Sequence, residues 1–232
     1  MTRTAVIAGV GPGLGEAVAR RFAHEGLDVA LFARTADRIE SLANALDKTD
    51  GRGIAVPTDL ADPGDVEAGF AAVRAELGPV DVLVYNASAA PWAGLAGIEL
   101  DDLDRALDVG VRGFVDCAKR AATDMRGRSG GTVILTGATT SVRGRRGAVG
   151  FSAAKFGARG VAESMARELG PEGIHVAHVV LDGGIRPPDE DVSDPEAYLD
   201  PDAIADTYWD LVEQDRAAWT LELDLRPHVE EF

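Results

Sequence analysis

The stretch Thr4-Ala-Val-Ile-Ala-Gly-Val-Gly-Pro-Gly-Leu-Gly15 decides the fold of this chain. It opens as an apolar run of strand length at residues 4–9, and the pattern at 13–25 predicts an amphipathic helix directly behind it. Gly9, Gly11 and Gly13 alternate with Val10 and Pro12 through the turn between the two, so that the backbone at the glycines can approach a ligand closely. The unpaired N–H groups and the positive dipole end of the helix suit a pyrophosphate. A glycine cluster in this position predicts a dinucleotide site.

The rest of the chain repeats this alternation of short apolar runs and amphipathic stretches. Because the runs are apolar throughout, they are typical of parallel strands covered on both faces. The pattern predicts one α/β domain over residues 1–232, a three-layer Rossmann fold with a doubly wound, seven-stranded parallel sheet. Predicted strands lie at 4–9, 28–33, 53–57, 80–85, 132–136, 174–181 and 219–225, and predicted helices at 13–25, 35–46, 62–77, 101–125, 147–169 and 201–214. Thr35 and Asp62 are the expected N-caps of the second and third helices.

A Pro- and Asp-rich segment at residues 183–201 follows the sixth predicted strand. Doubly wound sheets bind their ligands beyond the carboxyl ends of the strands. We therefore interpret this segment as a short substrate loop.

Composition argues against several other classes of protein. No apolar run is long enough to cross a bilayer, and residues 1–9 lead straight into a strand pattern, which predicts no signal peptide. Cys117 is the single cysteine, so no internal disulfide is expected. The four histidines show no ligand spacing, so a metal site is not predicted. We expect a cytoplasmic protein without a membrane segment or a metal.

The charge pattern is strongly acidic. The formal net charge is -16 at pH 7, which makes nucleic acid an unexpected partner because its phosphates would be repelled. Lysine occurs only at positions 48, 119 and 155, and arginine supplies the other cations. Few lysines among many acidic residues is the pattern of a halophilic protein. The alternative explanation of this composition is a high-GC genome that favours Arg and Asp codons. Against this background Arg143, Arg145 and Arg146 form an unusual basic run, which is either a solvated face or a group that attracts an anionic substrate or pairs with a neighbouring subunit's acids.

Arg34 indicates which dinucleotide is bound. Folds that bind NAD commonly place Asp or Glu at the end of the second strand, where it holds the ribose 2′-hydroxyl. Here that strand ends Leu31-Phe-Ala-Arg34-Thr, without an acid. Since a guanidinium can pair with a 2′-phosphate, the sequence favours NADP(H) over NAD(H).

Four motifs follow one another along the chain, Ala8-Gly9…Gly13-Leu14-Gly15, Asp59-Leu60, Tyr85-Asn86-Ala87-Ser88 and Asp182-Gly183. In the order and spacing of these motifs the chain resembles the short-chain dehydrogenase/reductase family over nearly its whole length. The resemblance implies an oxidoreductase of small molecules. It also implies a homodimer or homotetramer formed through helices 101–125 and 147–169. The residues expected to bind the cofactor are Gly9, Gly11, Gly13, Leu14, Gly15, Arg34, Asp59, Leu60, Asn86, Ala87, Lys155 and Gly183.

The resemblance breaks down at the catalytic positions. The family uses Asn, Ser, Tyr and Lys, and its Tyr-x-x-x-Lys element appears here as Phe151-Ser-Ala-Ala-Lys155. Counting back from Phe151 places Ala138 at the serine position, and Gly110 stands at the asparagine position. Only the lysine is kept. Since a positioned acid contributes about 10²–10⁴-fold to a rate, ordinary ketone chemistry should be weak unless another group replaces the tyrosine.

Several residues are candidates for that replacement. Lys155 is the firmest, because in the family it also binds the nicotinamide ribose. Thr139 follows the fifth strand, and Asp182 stands beside the expected nicotinamide edge. Thr139 is alternatively a strand-end hydrogen bonder, and Asp182 a turn residue. A hydroxyl of Tyr85 or Tyr198 that reaches the same place would overturn the view that the position is vacant.

Two functions follow from this pattern. One is an atypical oxidoreductase, whose substrate carries its own proton, as an iminium does, or takes one through water. The other is an inactive NADP(H)-binding sensor or partner subunit. Non-redox chemistry in the same pocket fits less well, because the glycine loop is intact.

Overall fold

A computed structural model of the chain describes residues 2–47, 49–188 and 190–230. Lys48 and Asp189, the latter inside the predicted loop at 183–201, lie outside the described residues. Seven strands in the described part of the chain form one parallel sheet, in the order β3-β2-β1-β4-β5-β6-β9. They are β1 Thr4–Ala8, β2 Asp28–Ala33, β3 Gly53–Pro57, β4 Val82–Tyr85, β5 Gly131–Thr136, β6 Ile174–Leu181 and β9 Glu222–Leu225. The predicted fold class is confirmed.

Helices cover both faces of the sheet. They are α1 Leu14–His24, α2 Ala36–Leu46, α3 Pro63–Glu76, α4 Leu100–Leu107, α5 Gly113–Met125, α6 Val149–Leu169 and α7 Pro201–Val212. Strand side chains alternate between the two faces, so that Ile7 packs with α1, α2 and α7, and its neighbour Val6 packs with α3, α5 and α6. Each face buries a separate apolar core, which gives the three predicted layers. None of the helices in the described part of the chain is long and apolar enough to span a membrane.

Most predicted element boundaries agree with the structure to within two residues, but three expectations were wrong in detail. The helix predicted at 101–125 contains a turn of π-helix at Asp108–Arg112, between α4 and α5. Gly110, a poor helix former, lies in that turn.

The second difference is at the helix caps. Thr35 occupies the N-cap of α2 without a side-chain hydrogen bond to the helix, whereas Asp62 accepts from the N–H groups of Gly64 and Asp65 as expected.

The last strand is the third difference. It begins at Glu222 rather than at residue 219, and Trp219 instead stacks on the His175 ring with centroids 5.0 Å apart. In the loop at 183–201, two short strands pair in parallel, β7 Gly184–Ile185 and β8 Tyr198–Leu199. The pairing of β7 with β8 therefore joins the two ends of this loop next to the end of β6.

Candidate active site

Two adjoining cavities lie at the carboxyl edge of the sheet, where the turns after β1, β4, β5 and β6 meet. The inner cavity, of about 570 Å³, contains Phe151 and Lys155. The outer cavity, of about 660 Å³, contains Arg34 and Asp59. Gly11, Asn86 and Ser88 line both cavities, so the two form a continuous cleft across the glycine turn. A cleft of this shape can hold an extended ligand with one end in each cavity.

The glycine turn is held tightly against the segment after β4. Gly9 has φ +101°, and a Cβ placed on it would lie 2.5 Å from the backbone N of Ala87. The Asn86 side chain donates from Nδ2 to the Gly9 carbonyl at 2.9 Å. A Cβ on Gly15 would lie 2.8 Å from that carbonyl, whereas a Cβ on Gly11 would meet nothing within 4 Å. Gly9 and Gly15 are thus needed for close packing, and Gly11 leaves its backbone open to the cleft.

Arg34 and an ion pair line the outer cavity. The Arg34 side chain is exposed and makes no hydrogen bond or ion pair with another described residue. Asp59 is bound by both carboxylate oxygens to Arg105 Nη2 at 3.1 Å. Burial raises the pKa of Asp59, but the Ala61 N–H and the Arg105 guanidinium outweigh this and lower it. Asp59 therefore remains a carboxylate that is already paired, and Arg34 is a cation available to a ligand.

Lys155 lies at the base of the inner cavity. It projects from α6, is buried, and donates from Nζ to the Thr136 carbonyl at 2.8 Å. Burial lowers the pKa of this ammonium to about 8. No Asp, Glu, His, Cys or Tyr occurs among the described residues that line the inner cavity. Within that set, Lys155 is therefore the group able to exchange a proton near neutral pH.

Phe151 and Ala138 line the same cavity, as the family resemblance implies. The Lys155 Nζ lies 5.7 Å from the centroid of the Phe151 ring. The Ala138 N–H donates to Ser141 Oγ at 3.1 Å, which turns the Ser141 hydroxyl toward the backbone. Gly110 lies outside both lining sets, and a Cβ added to it would lie 2.9 Å from the Ala154 Cβ. The contact with α6 leaves little room for a larger side chain at position 110.

Asp182 anchors three segments beneath the inner cavity. It is buried and accepts from Thr139 Oγ1 at 2.6 Å. Arg143 lies 3.1 Å and Arg226 lies 3.3 Å from the same carboxylate. Its own N–H donates to the Leu225 carbonyl of β9. Because the single proton of the Thr139 hydroxyl goes to Asp182, Thr139 offers only lone pairs to the cavity.

Tyrosine hydroxyls do not reach this place. Tyr85 is fully buried and donates to the Val109 carbonyl, and Tyr208 is bonded to Thr136 Oγ1 at 2.9 Å. Tyr198 lies in β8 and is not among the described residues that line the inner cavity.

Three site residues escaped the sequence analysis, namely Trp92, Arg105 and Arg186. Trp92 and Arg186 line the inner cavity, and Arg105 lines the outer one. Each comes from a loop or an exposed helix turn without a recognisable motif. The scarcity of aromatic residues, at 6% of the chain, was the one signal that could have drawn attention to Trp92.

His175, His178 and the cysteine take structural positions. His175 bonds the carbonyls of Leu211 and Thr220, and His178 pairs with Glu222. Cys117 is buried, and burial raises the pKa of its thiol. The part of the chain that the structure describes contains no group of three His, Cys, Asp or Glu side chains that could hold a metal ion.

Comparison with known proteins places this geometry in context. The family model described as short chain dehydrogenase matches residues 3–188. A short-chain dehydrogenase/reductase from Armillaria gallica is 35% identical over 75% of this chain and 68% of its own length. A 3alpha-hydroxysteroid dehydrogenase from Mediterraneibacter gnavus is 28% identical over 86% of this chain and 80% of its own. The crystal structure of a short chain dehydrogenase from Burkholderia cenocepacia in complex with NADP is 27% identical. It superposes with a TM-score of 0.87 and covers 97% of this chain and 96% of that one.

Proposed function

Because the chain belongs to the short-chain dehydrogenase family, we propose that it is an NADP(H)-dependent oxidoreductase with a non-standard active site. The observation that carries this proposal is the continuous cleft, with unpaired Arg34 at one end and buried Lys155 at the other. Its substrate is a small molecule that enters the inner cavity, next to the loop at 183–201.

The residues along the cleft fit a dinucleotide. The backbone at Gly11, Gly13, Leu14 and Gly15, which lines the inner cavity, would take the diphosphate, with the N-terminus of α1 behind it. Asp59, Leu60, Asn86 and Ala87 would border the adenosine half, and Gly183 and Lys155 the nicotinamide half. When bound, the nicotinamide supplies or accepts a hydride. Everything else the reaction requires must come from the side chains of the inner cavity.

Lys155 is the proton donor in this proposal. Its ammonium carries three N–H groups, of which one is bonded to the Thr136 carbonyl. The others are free to transfer a proton to an oxygen or nitrogen that gains electrons during reduction. Asp182 is assigned to positioning, since Thr139, Arg143 and Arg226 occupy its carboxylate. Thr139 would accept a hydrogen bond from substrate or cofactor.

The pH dependence of Lys155 tests this role. The folded-state pKa is about 8, so the ammonium loses its proton above that pH and the rate of reduction is expected to fall there. With only three lysines in the chain, ¹³C-labelled lysine NMR can follow Lys155 separately, with Lys155→Met to assign its signal. We expect a midpoint near pH 8. A midpoint at or above 10.5, the ordinary pKa of a lysine side chain, would remove Lys155 as the donor.

The choice of NADP(H) is tested at Arg34. In Arg34→Ala we expect NADPH to bind at least about tenfold more weakly, because a charge-assisted bond to the 2′-phosphate is lost. NADH affinity should hardly change. Fluorescence titration of both cofactors measures this, and Arg167→Ala, an exposed arginine on α6, is the control. Equal losses for the two cofactors, or a wild-type preference for NADH, would contradict the assignment.

A second candidate function is a non-catalytic NADP(H) sensor or partner subunit. Phe151 and Ala138 favour it, because neither can hydrogen-bond a substrate carbonyl. Such a protein would bind NADPH at the cleft without turnover. The two candidates differ in whether Lys155 alone suffices as an acid.

We also propose that residues 1–232 act as one domain in a cytoplasmic homodimer or homotetramer. Helices α5 and α6 carry the exposed apolar side chains Val115 and Phe156, 41% and 44% exposed. Exposed apolar residues on the two helices predicted to pair support this arrangement. The acidic surface remains consistent with the proposal of a halophilic source.

A further inference from the structure

The charge of the inner cavity is opposite to that of the chain. Acids outnumber bases by 39 to 23 in the sequence. Yet the described residues that line the inner cavity include three cations, Arg145, Lys155 and Arg186, and no acid. Such a lining attracts anions and disfavours a cationic iminium.

The three cations are not equally available to a ligand. Arg186 is paired with Asp200 at 2.6 Å, and Lys155 lies at the base of the cavity on the Thr136 carbonyl. Arg145 has no side-chain hydrogen bond or ion pair with any described residue. Arg143, two positions earlier, is by contrast bound to Asp182. Arg145 is therefore the unpaired guanidinium of this set.

Aromatic rings hold Arg145 in place over the cavity. Its guanidinium carbon lies 5.2 Å from the centroid of the Trp92 ring. The Trp92 and Phe151 ring centroids are 5.5 Å apart, and Phe151 in turn contacts Lys155. A guanidinium stacked on a ring is partly preorganised, so less conformational freedom is lost when it binds an anion. This order of contacts places Arg145, the anion-binding group, at the mouth of the inner cavity and Lys155, the proton donor, at its base.

We propose that the inner cavity selects substrates that carry a carboxylate, which Arg145 binds while the reacting carbonyl lies at Lys155. This inference rests on the proposed oxidoreductase function and names the class of substrate for it. A carboxylate is the planar partner that matches the fork of one guanidinium with two parallel hydrogen bonds. The Phe151 ring, which lies between Trp92 and Lys155, would cover the apolar middle of such a molecule.

A matched pair of probes tests the proposal by binding rather than by turnover. Isothermal calorimetry with 4-formylbenzoate and its methyl ester compares the same aldehyde with and without the charge, in the presence and absence of NADP⁺. We expect the wild type to bind the carboxylate at least about tenfold more tightly than the ester. Arg145→Ala should abolish this preference without weakening NADPH binding. Arg146→Ala, the adjacent exposed arginine that does not line the cavity, should retain it.

The outcomes separate this inference from the proposed function. The inference is overturned if the wild type binds the two probes equally well or gives no measurable heat with either. It is also overturned if Arg146→Ala loses the carboxylate preference as Arg145→Ala does, or if Arg145→Ala binds NADPH more weakly. A carboxylate preference that depends on Arg145 in a protein that binds no NADPH would support the anion site and refute the proposed oxidoreductase. NADPH oxidation without a carboxylate preference would support the proposed oxidoreductase and refute the anion site.

Discussion

The double variant Ala138→Ser/Phe151→Tyr is expected to reduce ketones with NADPH about 10²–10⁴-fold faster than the wild type. The Phe151 ring already contacts Lys155, at 5.7 Å from Nζ to its centroid, and both substituted positions line the inner cavity. A tyrosine hydroxyl beside that ammonium has its pKa lowered and can donate a proton, and a serine can bond the carbonyl oxygen. Initial rates of NADPH oxidation over a panel of ketones and aldehydes measure the gain.

The control for this experiment is on the same helix. Phe156 is 44% exposed and does not line either cavity, so Phe156→Tyr adds a hydroxyl to α6 away from the cleft, and gel filtration checks that the proposed oligomer is kept. It should leave the rates unchanged. If the double variant binds NADPH as tightly as the wild type and gains no activity, positions 138 and 151 do not correspond to the family's catalytic serine and tyrosine. If the wild type is silent throughout and the double variant turns over, the sensor function is favoured.

Gly9→Ala is expected to destabilise the protein by roughly 3 to 5 kcal/mol. Two costs combine here, because alanine is strained at φ +101° and its Cβ would lie 2.5 Å from the Ala87 backbone N. The segment after β4 would have to move, and with it the Asn86 bond to the Gly9 carbonyl. Urea unfolding followed by circular dichroism measures the loss in the free energy of unfolding.

Gly11→Ala distinguishes packing from ligand binding in the same turn. A Cβ on Gly11 meets nothing within 4 Å, and its φ is not in the left-handed region, so stability should hardly change. Because Gly11 lines both cavities, NADPH affinity should nevertheless fall. A Gly9→Ala protein as stable as the Gly11→Ala protein would show that the turn is not held against Ala87.

The architecture was predictable because its signals are local. Each strand is a short apolar run, and the glycines between β1 and α1 lie within five consecutive residues, so period and composition were enough to place them. The alternation of strands and helices along the chain then predicted a parallel sheet, since right-handed crossovers leave few alternative sheet topologies. The positions of Lys155, Phe151 and Ala138 on one cavity followed from family spacing, which is also a sequence property.

The partners of the site residues were not predictable, because they come from distant parts of the chain. Asp182 was interpreted as a catalytic acid or a turn residue, and nothing in the sequence links it to Thr139, Arg143 and Arg226. Arg145 could be noted as part of a basic run, but only the fold shows that Arg143 is paired and Arg145 is not. Thr139 was interpreted as a proton donor or a strand-end hydrogen bonder, and only the fold shows that it donates to Asp182.

The contacts of Asp182 link the carboxyl-terminal strand to the candidate active site. Arg226 follows β9, beyond the residues that the family model matches, and yet it contacts the carboxylate that fixes Thr139. In a random-mutagenesis screen, loss of this arginine would therefore be scored with the catalytic mutants, although it lies 71 positions after Lys155. Substitutions in this carboxyl-terminal segment are accordingly expected to alter the proposed site from a distance.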